Sequence, residues 1–101
     1  MSNAEMSNVA NKGTALVTGA STGIGAIYAQ RLAERGYDVI LVARNRDRLN
    51  ALATKLTTST GRNFEVVVAD LGSPEGVRKV EDVLRNDSSI TMLVNLSLIH
   101  I

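Results

Sequence analysis

The chain contains no cysteine, one proline, two tyrosines and one phenylalanine among its 101 residues. The absence of cysteine excludes disulfides and thiolate metal ligands, and no metal site is predicted. So few aromatic rings argue against a surface on which nucleic-acid bases stack. A net charge of +1 gives no overall field that would attract nucleic acid or an acidic membrane. We therefore expect no nucleic-acid or membrane partner.

Long hydrophobic runs are also missing from the sequence. No apolar segment approaches the roughly 20 residues that a membrane-spanning helix needs. The N-terminus lacks the basic start and apolar core of a secretory signal. These features predict a cytoplasmic protein. The content of 45% hydrophobic and 21% charged residues is ordinary for a globular protein, and the length fits one small domain.

Hydrophobic patterning predicts strands and helices that alternate along the chain. Four apolar runs have the length of strands: Thr14–Val17, Val39–Val42, Phe64–Ala69 and Ile90–Asn95. Runs that are apolar on both faces are typical of strands covered by helices on each side. Helical spacing of apolar residues fills the intervals between them. The pattern predicts an α/β fold, a Rossmann-like doubly wound parallel sheet with strand order 3-2-1-4 between two helix layers.

Each predicted helix has an apolar face and signals at its ends. The first helix spans Gly23–Glu34, and the second is capped by Asn45 or Asp47 and ends in a polar turn at Thr57–Asn63. Ser73, followed by proline and glutamate, predicts the start of the third helix. The predicted faces are Ile24, Ile27, Tyr28 and Leu32 with Ala29 and Ala33; Leu49, Leu52, Ala53 and Leu56; and Val77, Val80, Val83 and Leu84.

A glycine-rich loop lies between the first strand and the first helix. Thr18–Gly25 reads Thr-Gly-Ala-Ser-Thr-Gly-Ile-Gly. Its glycines are Gly19, Gly23 and Gly25. After Thr18, its hydroxyl groups are those of Ser21 and Thr22. Glycine lets the backbone approach a ligand closely, and the helix that follows directs N–H groups and its positive dipole end at the same point. The loop is predicted to bind the diphosphate of a nucleotide, with the two hydroxyls as ligands, helix caps or both.

The end of the second strand indicates which nucleotide is bound. In dinucleotide folds an acid about 20 residues after the loop binds the adenosine ribose, whereas an arginine accommodates a 2′-phosphate. Here Arg44 follows the strand, and the nearest acid, Asp47, lies in the next helix. A guanidinium binds phosphate oxygens bidentately. Arg44 therefore favours NADP(H) over NAD(H), while Arg46 and Arg48 are interpreted as solvent-exposed basic residues.

These motifs resemble those of the short-chain dehydrogenase/reductase family. Thr18–Gly25 is similar to the family's cofactor loop, Thr-Gly-x-x-x-Gly-x-Gly, and Asp70-Leu71 resembles its adenine-contacting pair. Leu93-Val94-Asn95 is similar to the start of its Asn-Asn-Ala-Gly segment. The resemblance implies an oxidoreductase that transfers hydride between NADP(H) and a carbonyl or alcohol substrate, in a homo-oligomeric parent. The implied cofactor-binding residues are Gly19, Ser21, Thr22, Gly23, Ile24, Gly25, Arg44, Asp70, Leu71 and Asn95.

The resemblance stops after Asn95, where the family continues Asn-Ala-Gly and this chain continues Leu96–Ile101. The last six residues resemble translated transposon-end DNA of the kind used in sequencing adapters; the alternative is a natural frameshift or a short paralogue. The family's catalytic serine and Tyr-x-x-x-Lys pair have no counterpart here, because neither Tyr28 nor Tyr37 has a lysine four residues later. We expect a tail at residues 1–12, a partial nucleotide-binding domain at 13–95 and a non-native segment at 96–101. The chain alone is then expected to be inactive.

Two alternatives belong to other classes of protein. A short, non-catalytic nucleotide-binding module would keep the glycine loop and Arg44 and would need no catalytic tyrosine. A methyltransferase that uses S-adenosylmethionine would have an acid at the end of the second strand, where Ala43 and Arg44 stand. The sequence therefore favours the module over the methyltransferase.

Overall fold

The computed structural model describes residues 12–20 and 22–96, which form four strands and three helices. In chain order these are β1 (Thr14–Thr18), α1 (Gly23–Glu34), β2 (Asp38–Ala43), α2 (Arg46–Thr60), β3 (Phe64–Val68), α3 (Pro74–Asn86) and β4 (Ile90–Asn95). Strands and helices alternate as predicted, and the strand ends differ from the predicted ones by at most one residue. None of the helices in the described residues combines the length and apolar character needed to cross a membrane.

The four strands form one parallel sheet in the order β3-β2-β1-β4. This confirms the predicted fold class and strand order. The register pairs Thr18 with Val42 on one side and with Asn95 on the other. The carboxyl ends of neighbouring strands therefore meet at one edge of the sheet, which is where open α/β sheets bind their ligands.

The core has one apolar layer on each face of the sheet. Side chains alternate between the two faces along each strand. Ala15 and Val17 of β1 pack on the side of α1 and α2 with Leu49 and Leu56. Leu16 of β1 packs on the other side with Val80 of α3. β1 is buried along its whole length, as its continuous apolar sequence predicts.

The predicted apolar face of α1 is wrong in part. Ile24, Ile27 and Tyr28 are 64%, 54% and 47% exposed. The buried residues of α1 are Gly25, Ala29, Leu32 and Ala33. Positions four apart lie on one side of a helix, and the small residues at 25, 29 and 33 let α1 approach the sheet closely. The bulkier side chains then lie on the flanks of the helix.

The predicted face of α3 also needs one correction. Val77 is 38% exposed, whereas Val80 is buried and Val83 and Leu84 pack against the core beside it. The contact with the turn after β3 is made by the preceding residue, Gly76, which is buried. Val77 therefore lies outside the buried face at the start of α3.

The polar turn predicted at Thr57–Asn63 is wrong for its first half, because α2 continues to Thr60. The hydroxyl of Thr58 donates to the Thr54 carbonyl at 3.0 Å, and that of Thr60 donates to the Leu56 carbonyl at 2.7 Å. Hydroxyl groups that could compete with the backbone for hydrogen bonds thus donate to carbonyls of the same helix. The helix ends at Gly61, whose φ of 72° is the left-handed conformation of a helix C-cap.

At its N-terminus, α2 is capped by one of the two residues predicted for that role. The side-chain oxygen of Asn45 accepts a hydrogen bond from the Arg48 N–H at 3.0 Å. Asp47 lies inside the first turn, where its charge complements the helix dipole. Asn45 is therefore the cap, and α2 begins directly beside the carboxyl edge of the sheet.

Candidate functional site

Thr22 fixes the glycine loop to the start of α1. Its hydroxyl donates to the Gly19 carbonyl at 3.0 Å and accepts from the Gly25 N–H at 3.0 Å. Gly19 has a φ of 71°, which residues with a Cβ rarely adopt. Ala20 is fully buried, and its N–H donates to the Val42 carbonyl of β2 at 3.2 Å. The loop is thus held by α1 on one side and by the sheet on the other.

The two later glycines of the loop serve different purposes. A Cβ on Gly25 would lie 2.5 Å from the Gly19 oxygen and 2.7 Å from the Ala20 Cα, so the fold itself requires glycine there. Apart from its chain neighbours and the backbone of its own helix, a Cβ on Gly23 would meet no atom of the described residues within 4 Å. The φ of Gly23 is not positive either. Neither packing nor backbone conformation requires glycine at position 23, which leaves open space beside the start of α1.

The start of α1 offers hydrogen-bond donors to that open space. Gly23 and Ile24 occupy the first two helical positions, where an N–H has no carbonyl earlier in the helix to bond. No acidic residue lies in the first turn of this helix. The positive end of the helix dipole is therefore not neutralised by a neighbouring carboxylate. Such an arrangement can hold a phosphate.

Thr18 joins the glycine loop to the end of β4. Thr18 is only 3% exposed, and its Oγ1 donates a hydrogen bond to Asn95 Oδ1 at 2.7 Å. The same Oγ1 accepts from the Leu96 N–H at 3.2 Å. Sequence reasoning assigned this hydroxyl no role, and the signal available was a threonine that ends an otherwise apolar strand. The hydroxyl holds the β4 end of the site against the loop.

Replacing Thr18 with valine is expected to lower the free energy of unfolding by about 1–3 kcal/mol, the cost of removing one partner of buried hydrogen bonds. Valine keeps the shape but takes a donor from Asn95 and leaves the Leu96 N–H with the longer, 3.3 Å bond to the Thr18 carbonyl. Urea unfolding measures the effect. Thr18→Ser keeps the hydroxyl and is the control. Equal stability of the valine and serine variants would contradict the assigned role.

The remaining predicted site residues lie at the same edge of the sheet. Arg44 directly follows β2 and is exposed, and Asn95 is the last residue of β4. Asp70 and Leu71 follow β3. Asp70 Oδ1 accepts from the Gly72 N–H at 2.8 Å, so this carboxylate shapes the turn that leads to α3. Leu71 packs against the core on the α3 face.

One predicted site residue, Ser21, lies outside the described residues. The others come from four separate segments of the chain and meet at the carboxyl edge of the parallel sheet. Residues 13–97 match the protein-family model described as short chain dehydrogenase. The chain belongs to the short-chain dehydrogenase family. The family resemblance of its motifs is thereby confirmed.

Relatives of this short-chain dehydrogenase chain include enzymes with known names and solved structures. It is 36% identical over 81 residues to human 17-beta-hydroxysteroid dehydrogenase type 3, covering 80% of this chain and 26% of that protein. It is 46% identical, with a TM-score of 0.79, to the bulky-bulky ketone specific alcohol dehydrogenase of Comamonas testosteroni, covering 82% and 33%. It is 49% identical, with a TM-score of 0.77, to a short-chain dehydrogenase of Sphingobium yanoikuyae in complex with NADPH, covering 80% and 32%.

The chain spans about a quarter of the length of the curated relatives it matches and about a third of the matching solved chains. The matched part contains the glycine loop and the segments that meet beside it. The family membership therefore concerns the nucleotide-binding side of the fold.

Proposed function

We propose that this chain forms the NADP(H)-binding part of an oxidoreductase that transfers hydride between the cofactor and a carbonyl or alcohol substrate. The observation that carries the proposal is the open space at Gly23, beside helix-start N–H groups, in a chain of the short-chain dehydrogenase family. The similar short-chain dehydrogenase of Sphingobium yanoikuyae is a complex with NADPH. The bound cofactor donates the hydride to a carbonyl or accepts it from an alcohol, and the protein supplies binding, orientation and proton transfer.

Each segment at the carboxyl edge has a proposed part in binding. Gly23 and Ile24 direct their N–H groups at the diphosphate, in a loop whose shape is held by Thr22. Asp70 is fixed by its bond from Gly72 and has further acceptor capacity for the amino group of adenine. Leu71 gives the adenine an apolar neighbour. Asn95 holds the end of β4 where the cofactor passes towards the substrate.

Arg44 is proposed to set the preference for NADP(H). Replacing Arg44 with glutamine is expected to weaken NADPH binding about 10- to 100-fold, because a charge-assisted hydrogen bond contributes about 1.5–3 kcal/mol. NADH has no 2′-phosphate, so its affinity is expected to stay within about twofold. Titration of the chain and the variant with both cofactors, followed by cofactor fluorescence, measures this. An equal loss of affinity for both cofactors would contradict the assignment.

The same titration tests the proposed function itself. The purified 101-residue chain is expected to bind NADPH without reducing ketones, because the proposed catalytic serine and Tyr-x-x-x-Lys pair belong to other parts of the parent protein. A folded chain that binds neither NADPH nor NADH would overturn the proposal. Ketone reduction by the chain alone would contradict the proposal that the catalytic residues belong to other parts of the parent protein.

The source gene separates the oxidoreductase from a non-catalytic nucleotide-binding module. Beyond the Asn95 codon we expect the gene to continue into the family's Asn-Ala-Gly and Tyr-x-x-x-Lys patterns. A natural gene with a stop codon directly after Ile101 would favour the module. The segment boundaries at 12–13 and 95–96, the cytoplasmic location and the homo-oligomeric parent stay predictions from the sequence.

A further inference from the structure

β3 forms one outer edge of the sheet, and among the described residues β2 is its only strand neighbour. At both ends of β3 the bonds to β2 use odd-numbered residues. The Asn63 carbonyl accepts from the Val39 N–H, and the Ala69 N–H donates to the Ala43 carbonyl, each at 3.0 Å. Backbone groups of successive residues alternate between the two sides of a strand. The residues whose N–H and C=O groups face the free edge are therefore Phe64, Val66 and Val68.

A strand edge of this kind can add a strand from another chain. β3 reads Phe-Glu-Val-Val-Val, and phenylalanine and valine favour strands. The three edge residues are also symmetric about Val66. If two copies of the chain lay antiparallel, Val66 would lie opposite Val66 and Phe64 opposite Val68, and each pair would exchange two hydrogen bonds. The β3 strand of a second copy therefore fits this edge.

Lys79 of α3 covers one end of this edge. Its Nζ donates to the Val68 carbonyl at 2.7 Å. That carbonyl is one of the acceptors that a second strand would use, and a hydrogen bond from a charged donor is stronger than a neutral one. The next residue, Val80, is buried against the sheet with Val67, which fixes this turn of α3 beside β3. Two lysines, one from each copy, would have to leave their carbonyls before the antiparallel pair could form.

The charges beside Lys79 also oppose pairing of two copies. A groove of about 500 Å³ lies between β3 and α3. Its lining residues are Glu65, Lys79, Asp82, Val83, Asn86 and Asp87. Three of these described residues are carboxylates, and Lys79 is the one cation among them. In the antiparallel pair, Glu65 of one copy would lie diagonally across from Glu65 of the other, so that like charges would repel.

We propose that Lys79 prevents the free edge of β3 from pairing with β3 of a second copy of the chain. Natural sheets protect exposed edges with charged side chains, lysine above all. Here the lysine comes from the helix that packs beside the edge strand, and it occupies an edge carbonyl directly. The inference concerns self-association and does not depend on the cofactor.

The test compares the self-association of Lys79→Met with that of the wild-type chain by analytical ultracentrifugation. The buffer contains about 0.5 M NaCl, which screens the repulsion between the carboxylates. Methionine keeps an unbranched side chain but removes the charge and the donor, and Lys79→Met is expected to associate about 10-fold more tightly or better. Lys79→Arg keeps a charged donor, and Arg78→Met removes a positive charge from the neighbouring exposed position. Both controls are expected to stay within about twofold of the wild type.

Amide hydrogen exchange shows which edge is used. In the wild type the Val66 and Val68 N–H groups face the free edge and are expected to exchange fast, whereas the Val67 N–H, which faces β2, exchanges slowly. In Lys79→Met the Val66 and Val68 amides are expected to become protected as the protein concentration rises. Val66→Pro, added to Lys79→Met, removes an N–H that the bonds to β2 do not use. This double variant is expected to associate only as much as the wild type.

Three results would overturn the role of Lys79. The first is association of Lys79→Met at the wild-type level, and the second is an equal increase in Arg78→Met. The third is tighter association of Lys79→Met without protection of the Val66 and Val68 amides, because the contact would then lie elsewhere, for instance at β4. Lys79→Ala serves as the second variant if Lys79→Met is poorly folded, and amide exchange decides the outcome if the proline variant does not fold.

Discussion

Replacing Gly23 with alanine is expected to leave the protein folded and to remove most of its NADPH binding. Apart from its chain neighbours and the backbone of its own helix, the added methyl group would meet no described atom within 4 Å. Alanine is also the better helix former, by about 1 kcal/mol within a helix. The methyl group would, however, occupy the space through which the diphosphate approaches the N–H groups of α1. We expect a loss of affinity on the order of 10- to 100-fold, or about 1.4–2.7 kcal/mol.

Gly25→Ala is the matched variant of the same loop. Its methyl group would lie 2.5 Å from the Gly19 oxygen and 2.7 Å from the Ala20 Cα, both backbone atoms. Overpacking of this kind costs about 1–3 kcal/mol. In a domain of this size that lowers the melting temperature by about 4–8 °C for each kcal/mol, and binding falls with the distorted loop.

Thermal unfolding and cofactor titration of the two alanine variants separate a glycine needed by the ligand from one needed by the fold. Gly23→Ala should melt at or above the wild-type temperature and bind NADPH weakly. Gly25→Ala should melt lower. Wild-type NADPH affinity in Gly23→Ala would show that the open space at position 23 is not used by the cofactor.

The fold could be predicted from the sequence because its main signals are local. β1 and β2 are apolar on both faces, and each is followed by a helical pattern with a recognisable start. Parallel order and handedness then follow from general rules for such alternation. The end of α2 could not be predicted in this way, since the Thr58 and Thr60 hydroxyls bond inside the helix instead of breaking it.

Burial within α1 was harder to predict for a physical reason. The sequence places large apolar residues, among them Ile27 and Tyr28, at helical spacing, which favours them as the buried face. The sheet instead contacts the small residues, because a helix packs closest where its side chains are shortest. Gly25 and Ala29 are buried, and Ile27 and Tyr28 are exposed. Hydrophobicity alone does not show whether a helix packs on a sheet through small residues that allow close approach or through large apolar side chains that bury more area.

The candidate site, like the fold, could be predicted only in part from the sequence. Sequence spacing predicts that the glycine loop and Arg44 bind the cofactor, and the structure brings them to one edge with Asp70 and Asn95. Spacing could not tell which glycine serves the fold, because the distances from Gly23 and Gly25 to other backbone segments exist only in three dimensions.

Among glycine-to-alanine substitutions near the site, Gly76→Ala is expected to be the most destabilising. Gly76 is buried in the first turn of α3, and a Cβ there would overlap the Asp70 carbonyl oxygen and lie 2.8 Å from the Asp70 nitrogen. These obstacles are backbone atoms of Asp70, so a rotamer change cannot relieve the overlap. We expect a loss of about 3 kcal/mol, the upper end of the usual cost of overpacking, measured by urea unfolding.

Gly72→Ala is the control for this variant. Its Cβ would lie 3.1 Å from Asp70 Oδ1, a side-chain atom that has to shift by only a few tenths of an ångström. Its cost is expected to stay within about 1 kcal/mol, in the lower range for point substitutions. Wild-type stability of Gly76→Ala would mean that α3 does not pack closely against the turn after β3.

Gly76→Ala also tests whether the adenine end of the site depends on α3. The Asp70 carbonyl accepts from the Ser73 hydroxyl at 3.0 Å, and that hydroxyl caps α3 through the Gly76 N–H at 3.0 Å. A methyl group at position 76 would therefore displace Asp70 and the start of α3 together. NADPH binding by the folded fraction of Gly76→Ala is expected to weaken, whereas binding of ligands that lack adenine, such as nicotinamide mononucleotide, should change little. An equal loss for both ligands would place the damage at the glycine loop instead of at the turn after β3.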